Sequence, residues 1–193
     1  MPPLETGNPG AYALLEGWYW YNNRMDDMRD EGWKLHVSGT TANAQLIMDL
    51  VLPVLRSGEV AHKVLPDSDA VKNQSGEQTG KFLTVYPNSI TEAFVAVSEI
   101  DNALGARVKT HDSPAILHEK RVGRTVVYTR YGAFASGSIY DPILSRYVDD
   151  TIGQLKPDWI DNPWIHYPNV TAATYFDPWP THDKKGRRRR GRL

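Results

Sequence analysis

Four cations and an imidazole fall in segments whose patterns predict β-strands. Lys34 and His36 lie in WKLHVS (33–38), Lys63 in EVAHKVL (59–65), Lys81 in KFLTVY (81–86) and Arg130 in RTVVYTRYGAF (124–134). Strand interiors rarely carry ammonium groups, because burying an unpaired charge is expensive. Taken singly, each reads as an edge residue with its stem on apolar surface and its charge in water. Taken together they suit a doubly charged anion. Phosphate is the natural guest, gripped by an arginine fork and by lysines as point charges. Strand alternation sets Trp33, Leu35 and Val37 on one side and Lys34, His36 and Ser38 on the other, which places the ammonium and the imidazole about 7 Å apart along the chain.

The elements that must position these groups can be read from periodicity. Thr40 or Thr41 caps a helix running to Ser57, with Leu46, Leu50 and Val54 and also Ile47, Val51 and Leu55 at helical spacing. Pro53 predicts a kink in it and Gly58 ends it. Residues 67–80 read as a polar loop. Ser89 and Glu92 form a capping box for a second helix that ends at Leu104 before Gly105, with Ile90, Phe94, Val97 and Leu104 as its buried stripe. Residues 107–124 look irregular, with short strand potential. Beyond Gly137 the chain turns rich in Pro, Asp and Trp without clear periodicity, and reads as an ordered wrap. Helices and strands follow no regular βαβ alternation, so the expected class is α+β: a single domain with a mixed or antiparallel sheet and packed helices. The expected organisation is an aromatic and polar N-terminal segment over 1–30, the domain proper over 31–165, an aromatic wrap over 166–183 and a disordered basic tail over 184–193.

Composition narrows the chemistry. The 193 residues include no cysteine, which excludes disulfides, thiolate catalysis and sulfur-held zinc. The six histidines lack metal-ligand spacing, and no Walker, G-x-S-x-G, H-E-x-x-H or dinucleotide-binding signature is present. No apolar run suits a membrane span, and the N-terminus lacks the order of a secretory signal, so a cytoplasmic protein is expected. The net charge of −1 hides an asymmetry: seven of the 22 basic residues lie between Lys184 and Arg192, leaving 15 basic against 23 acidic residues in 1–183. Such a tail suits an acidic peptide or nucleic acid.

In order along the chain, GWKLHVSGTTANAQ (32–45), HKVL (62–65), GKFLTVYP (80–87), YTRYGAF (128–134), LKPDW (155–159) and NPW (162–164) form a set that resembles the N-terminal lyase domain of class III and class IV lanthipeptide synthetases. That domain is similar in turn to the phosphothreonine lyase effectors of type III secretion, with which it shares a K-x-H-[IV]-S strand. The likeness runs from about Gly32 to Trp164. It implies a phosphothreonine-lyase-like fold and removal of phosphate from phosphothreonine or phosphoserine by β-elimination, leaving dehydrobutyrine or dehydroalanine, with no metal and no cofactor. By the family pattern Lys63 is the base and His36 the general acid, while Lys34, Lys81 and Arg130 bind the phosphate or polarise the peptide carbonyl.

Two departures stand out. Lys72 is the only candidate phosphate ligand in loop 67–80, and no arginine occurs between Arg56 and Arg107. Arg121 and Arg124 read as solvated. The implied partners are a phosphorylated precursor peptide, made by a separate kinase and processed further by a separate cyclase, or a host phosphoprotein if the chain is a secreted effector. A module that binds phosphopeptides without turning them over is the alternative from a different class.

Overall fold

The computed structural model describes residues 5–21, 28–135, 137–150 and 156–167. Its strands are β1 (Tyr12–Leu15), β2 (Trp18–Tyr21), β3 (Glu31–Ser38), β4 (Ala61–Val64), β5 (Lys81–Tyr86), β6 (Lys120–Arg121), β7 (Val127–Ala133), β8 (Ser138–Asp141) and β9 (Arg146–Asp149); its helices are α1 (Ala44–Ser57), α2 (Ser68–Lys72) and α3 (Ile90–Leu104). Seven strands form one sheet in the order β1-β2-β4-β5-β3-β7-β6, with every pairing antiparallel, and β8 and β9 make a separate hairpin. This is the expected α+β class, with an antiparallel sheet.

Alternation sorts the sheet into two unlike faces. Leu35 and Val37 of β3, Leu83 and Val85 of β5, Val64 of β4 and Val127 of β7 are fully buried in one apolar cluster with Ile47, Val51 and Leu55 of α1 and with Ala93, Val97 and Ile100 of α3. The helices therefore cover one face, and the other is left for polar chemistry. Helix α1 runs through Pro53, and Gly58 donates to the Val54 carbonyl at its end. The start of α3 is as expected in kind but not in detail. The Ser89 hydroxyl accepts from the Glu92 amide at 3.0 Å, whereas the Glu92 carboxylate takes the amide of Asn88, one residue earlier than a standard box. Gly105, at φ +51°, closes the helix in the left-handed region. The buried face of α3 is built from Ala93, Ala96, Val97, Ile100 and Leu104, while Ile90 and Phe94 are only partly buried.

Three readings of the sequence are corrected. The aromatic segment 12–21 is not peripheral to the domain: it supplies β1 and β2 of the main sheet, joined by a tight turn in which Glu16 (φ +49°) and Gly17 (φ +77°) are both left-handed, as a two-residue hairpin requires. Loop 67–80 holds a short helix, α2, capped by the Asp67 carboxylate accepting from the Ala70 amide. The stretch after Gly137 contains the β8–β9 hairpin, in which Ile139 and Asp141 of β8 are buried while β9 is mostly exposed. Farther on, Trp164 of the NPW phrase is fully buried, edge-on to Trp33 and Phe94, and ties the end of the described chain to β3 and α3. The basic tail and all but the first two residues of the aromatic wrap lie outside the described residues.

Candidate active site

The register of the sheet builds the site. Lys63 of β4 sits opposite Thr84 of β5, Thr84 opposite His36 of β3, and His36 opposite Tyr128 of β7, so one cross-strand row carries all four on the face away from the helices. Each opposed pair in an antiparallel sheet spans about 5 Å between Cα atoms, which puts Lys63 and His36 about 10 Å apart with only a threonine between them. Two residues along β3, Lys34 faces Arg130 of β7 directly. His62, the neighbour of Lys63, points the other way into the core: its Nδ1–H donates to the Val60 carbonyl and its Nε2 accepts from the Tyr12 hydroxyl, both at 2.7 Å. The histidine of the HKVL phrase is thus structural and the lysine faces the site.

Lys81 reaches the same face by a different route. Strict alternation would send it to the core side with Leu83 and Val85. A register shift between Val37 and Ser38 pairs Ser38 with Lys81 while Val37 pairs with Leu83, and this bulge re-aims the lysine. Its ammonium lies 3.1 Å from Glu119 Oε1.

Two buried carboxylates that carry no motif hold the cations. Glu119, whose side chain is fully buried, pairs as an ion through Oε1 with the Lys81 ammonium and accepts a hydrogen bond from His36 Nδ1–H through Oε2 at 2.7 Å. Asp150, just past β9, accepts from Arg130 at 2.9 Å and from the Ala133 amide at 2.5 Å, and it lies 3.6 Å from the Lys34 ammonium, which also donates to the Ala133 carbonyl at 2.6 Å. Gly132 makes room for this knot: a Cβ there would come within 2.7 Å of the Arg130 guanidinium, and closer still to the Asp150 carboxylate. Asp150 also lines a cavity of about 270 Å³ with Tyr131, Ile139 and Trp159.

Their contacts divide the three lysines into two kinds. Lys34 and Lys81 each face a carboxylate. Burial, with Arg130 beside it, still lowers Lys34 to about 8, against the opposing pull of Asp150. Lys63 has no hydrogen bond or ion pair to a described residue; its ammonium sits 4.5 Å from the centre of the Trp18 ring and 4.7 Å from that of Trp20. Burial lowers it to about 8, with Glu16 at the hairpin turn opposing and Lys81 assisting. Burial takes His36 down to about 4, leaving a neutral imidazole whose single proton is on Nδ1, bonded to Glu119, and whose Nε2 is bare. Burial alone would raise the Glu119 carboxyl, but His36 and Lys81 hold it down at about 2, so the carboxylate stays ionised.

All five residues singled out by sequence, Lys34, His36, Lys63, Lys81 and Arg130, therefore lie on one face of the sheet. Lys72, Arg121 and Arg124 are exposed. Glu119, Asp150, Thr84, Trp18 and Trp20 carry no sequence signal of their own. One argument could have announced the acids: cations buried together on one face need carboxylates beside them. Among the described residues no group of three or more His, Asp or Glu is arranged to hold a metal ion, and no helix is long and apolar enough to cross a membrane.

The family described as RamC, N-terminal domain, matches residues 11–179, most of the chain, and the protein belongs to that family. A curated relative, the probable SapB synthase of Streptomyces coelicolor (strain ATCC BAA-471 / A3(2) / M145), is 30% identical over 165 residues. The match takes in 77% of this chain but only 17% of that protein's length. Both findings fit the lanthipeptide-synthetase lineage that the ordered motifs resemble.

Proposed function

From membership of the RamC N-terminal domain family, we propose that this protein is a lyase that eliminates phosphate from phosphothreonine or phosphoserine in a precursor peptide, in maturation of the lanthipeptide type. The observation that carries the reading is the row Lys63–Thr84–His36: a lysine lowered to about 8 and a histidine flank a small residue, with further cations on the same face. A phosphorylated residue over Thr84 has the base on one side and the acid on the other. The neutral amine of Lys63 takes the α-proton, the C–H electrons become the Cα–Cβ double bond, and the Cβ–O bond breaks. Phosphate leaves with a proton delivered to its bridging oxygen from Nε2 of His36. Lys34, Lys81 and Arg130 bind the phosphate and the carbonyl on which charge develops.

His36 is neutral in the free protein, so its acid form must be made by the substrate. A dianion beside Nε2 raises the proton affinity of the imidazole, and the Nδ1–H bond to Glu119 steadies the resulting cation. The role of the relative, a synthase by name, favours a biosynthetic setting over an effector acting on host proteins.

Incubation with a phosphothreonine peptide should release inorganic phosphate and leave a product lighter than the substrate by the mass of phosphoric acid. Lys63→Ala should keep its fold and lower turnover by about 10²–10⁴-fold, the range for loss of a positioned base. A product bearing a plain hydroxyl would identify a phosphatase and refute the reading. Saturable phosphopeptide binding with no product would leave a binding module instead.

A further inference from the structure

Lys63 differs from the other site lysines in what it touches. Lys34 has Asp150 and Lys81 has Glu119, each within ion-pair distance. Lys63 has two indole rings, Trp18 and Trp20, both well inside the distance of about 6 Å at which a ring face attracts a cation. We infer that Trp18 and Trp20 are positioning residues for the base: they hold the Lys63 amine and stabilise the ammonium that it becomes. The inference rests on the lyase reading for its catalytic meaning, but the contact itself can be tested without turnover.

The physical case comes from what a base must do. It starts the reaction as a neutral amine and ends it as an ammonium. A carboxylate in contact would favour the charged form from the outset, as Asp150 does for Lys34 against the pull of burial. An apolar cage alone would keep the amine neutral but would give nothing back as charge arrives. An indole face lies between these extremes: it removes water, and its quadrupole attracts the cation only as the charge forms. An interaction that grows toward the transition state lowers the barrier, whereas one present from the outset does not.

The fold supports the rings from behind. Trp20 is opposite Lys63 in the β2–β4 pairing and stacks on Tyr86 at 5.5 Å with an interplanar angle of 10°; Tyr86 in turn meets Phe134 edge-on. Trp18 lies two residues along the same strand and is therefore on the same face, close to the turn that carries Glu16. Both tryptophans are half-buried. The first hairpin of the chain thus completes the environment of a lysine whose sequence neighbours gave no hint of it.

The test is a titration of the Lys63 side chain by NMR, with lysine labelled at Cε and Nζ and the signal assigned by its loss in Lys63→Arg. Trp18→Leu and Trp20→Leu keep apolar bulk but remove the π face, and each should lower the Lys63 pKa by about one unit. Trp18→Phe should restore most of that shift. In turnover, the leucine variants should lose about tenfold in kcat with KM changed less than twofold, and the pH–rate limb should move with the NMR value. An unchanged or raised pKa in both leucine variants overturns the inference. Trp18 lies outside the Trp20–Tyr86 stack, so Trp18→Leu decides the matter alone if Trp20→Leu does not fold. If the wild-type protein eliminates no phosphate, the lyase reading fails while the titration still judges the contact.

Discussion

Replacing Glu119 by Gln puts the electrostatic argument under the most strain, because the change is nearly isosteric and the side chain is fully buried. The carboxylate serves two partners at once, a hydrogen bond from the His36 Nδ1–H and an ion pair with the Lys81 ammonium. An amide offers one oxygen, so one of the two must face an NH₂ group, donor against donor. Removing one partner from a buried ion pair costs about 3–5 kcal/mol. Taking the lower figure, with roughly 2–4 °C per kcal/mol for a chain of this size, the melting temperature should fall by about 6–12 °C. The catalytic loss has a separate cause. Without the carboxylate the imidazolium loses its stabilising partner, so His36 protonates less readily and kcat should drop by about 10²-fold or more. The limb of the pH–rate profile on which His36 loses its proton should move to lower pH, since the group that favours its charged form is gone. The assays are thermal unfolding followed by circular dichroism, and phosphate release from a phosphothreonine peptide across pH. A double-mutant cycle with Lys81→Gln isolates the ion pair: the double variant should lose less stability than the two single losses combined. Strict additivity, or a Glu119→Gln variant with the melting temperature and pH profile of the parent, would refute the reasoning.

Gly132→Ala should disrupt the Arg130–Asp150 knot, because the added Cβ would come within 2.7 Å of the guanidinium. We expect about a 10²-fold fall in kcat/KM on phosphopeptide with the overall fold intact, and the parent value would show that Arg130 does not need its present position. Stability should decline on acidification through the window from about 6.5 to about 4. His36 and His62 have folded values near 4 against an unfolded value near 6.5, so the unfolded chain binds more protons in this range and unfolding is favoured as the pH falls. By pH 5 the loss should be roughly 2 kcal/mol for each histidine, measured by urea titration at pH 7 and pH 5; equal stabilities at the two would contradict the neutral assignment of both rings.

The amino-acid sequence discloses the cations and their strands because both signals are local. Lys34 and His36 stand out through alternation with Trp33, Leu35 and Val37, and the strand at 81–86 was legible to the residue. What gathers them is not local. Lys63 and His36 share a row only because β5 inserts between β3 and β4, an order that no pattern within the strands specifies. Lys81 is the sharper case, since the periodicity that locates its strand assigns the side chain to the wrong face. One register shift near Ser38 reverses that assignment, and a bulge on one strand is set by its partner as much as by itself. Glu119 and Asp150 escaped notice for a related reason: each sits just outside a short strand, where no period applies, and acquires meaning only from the cations folded against it. In the proposed reaction the same logic separates the lysines by task. Sequence type makes them equivalent, and their partners make them different. Carboxylates face Lys34 and Lys81, whereas the indoles beside Lys63 suit a group that, in the proposed reaction, gains its charge as the proton is taken. That division predicts an asymmetry between substitutions. Arginine at position 34 or 81 keeps the charge that the carboxylate there requires and should weaken the reaction in degree. Arginine at position 63 cannot be deprotonated and should abolish it. Equal losses at all three positions, measured as kcat on one phosphothreonine peptide, would mean that the partners do not assign the roles.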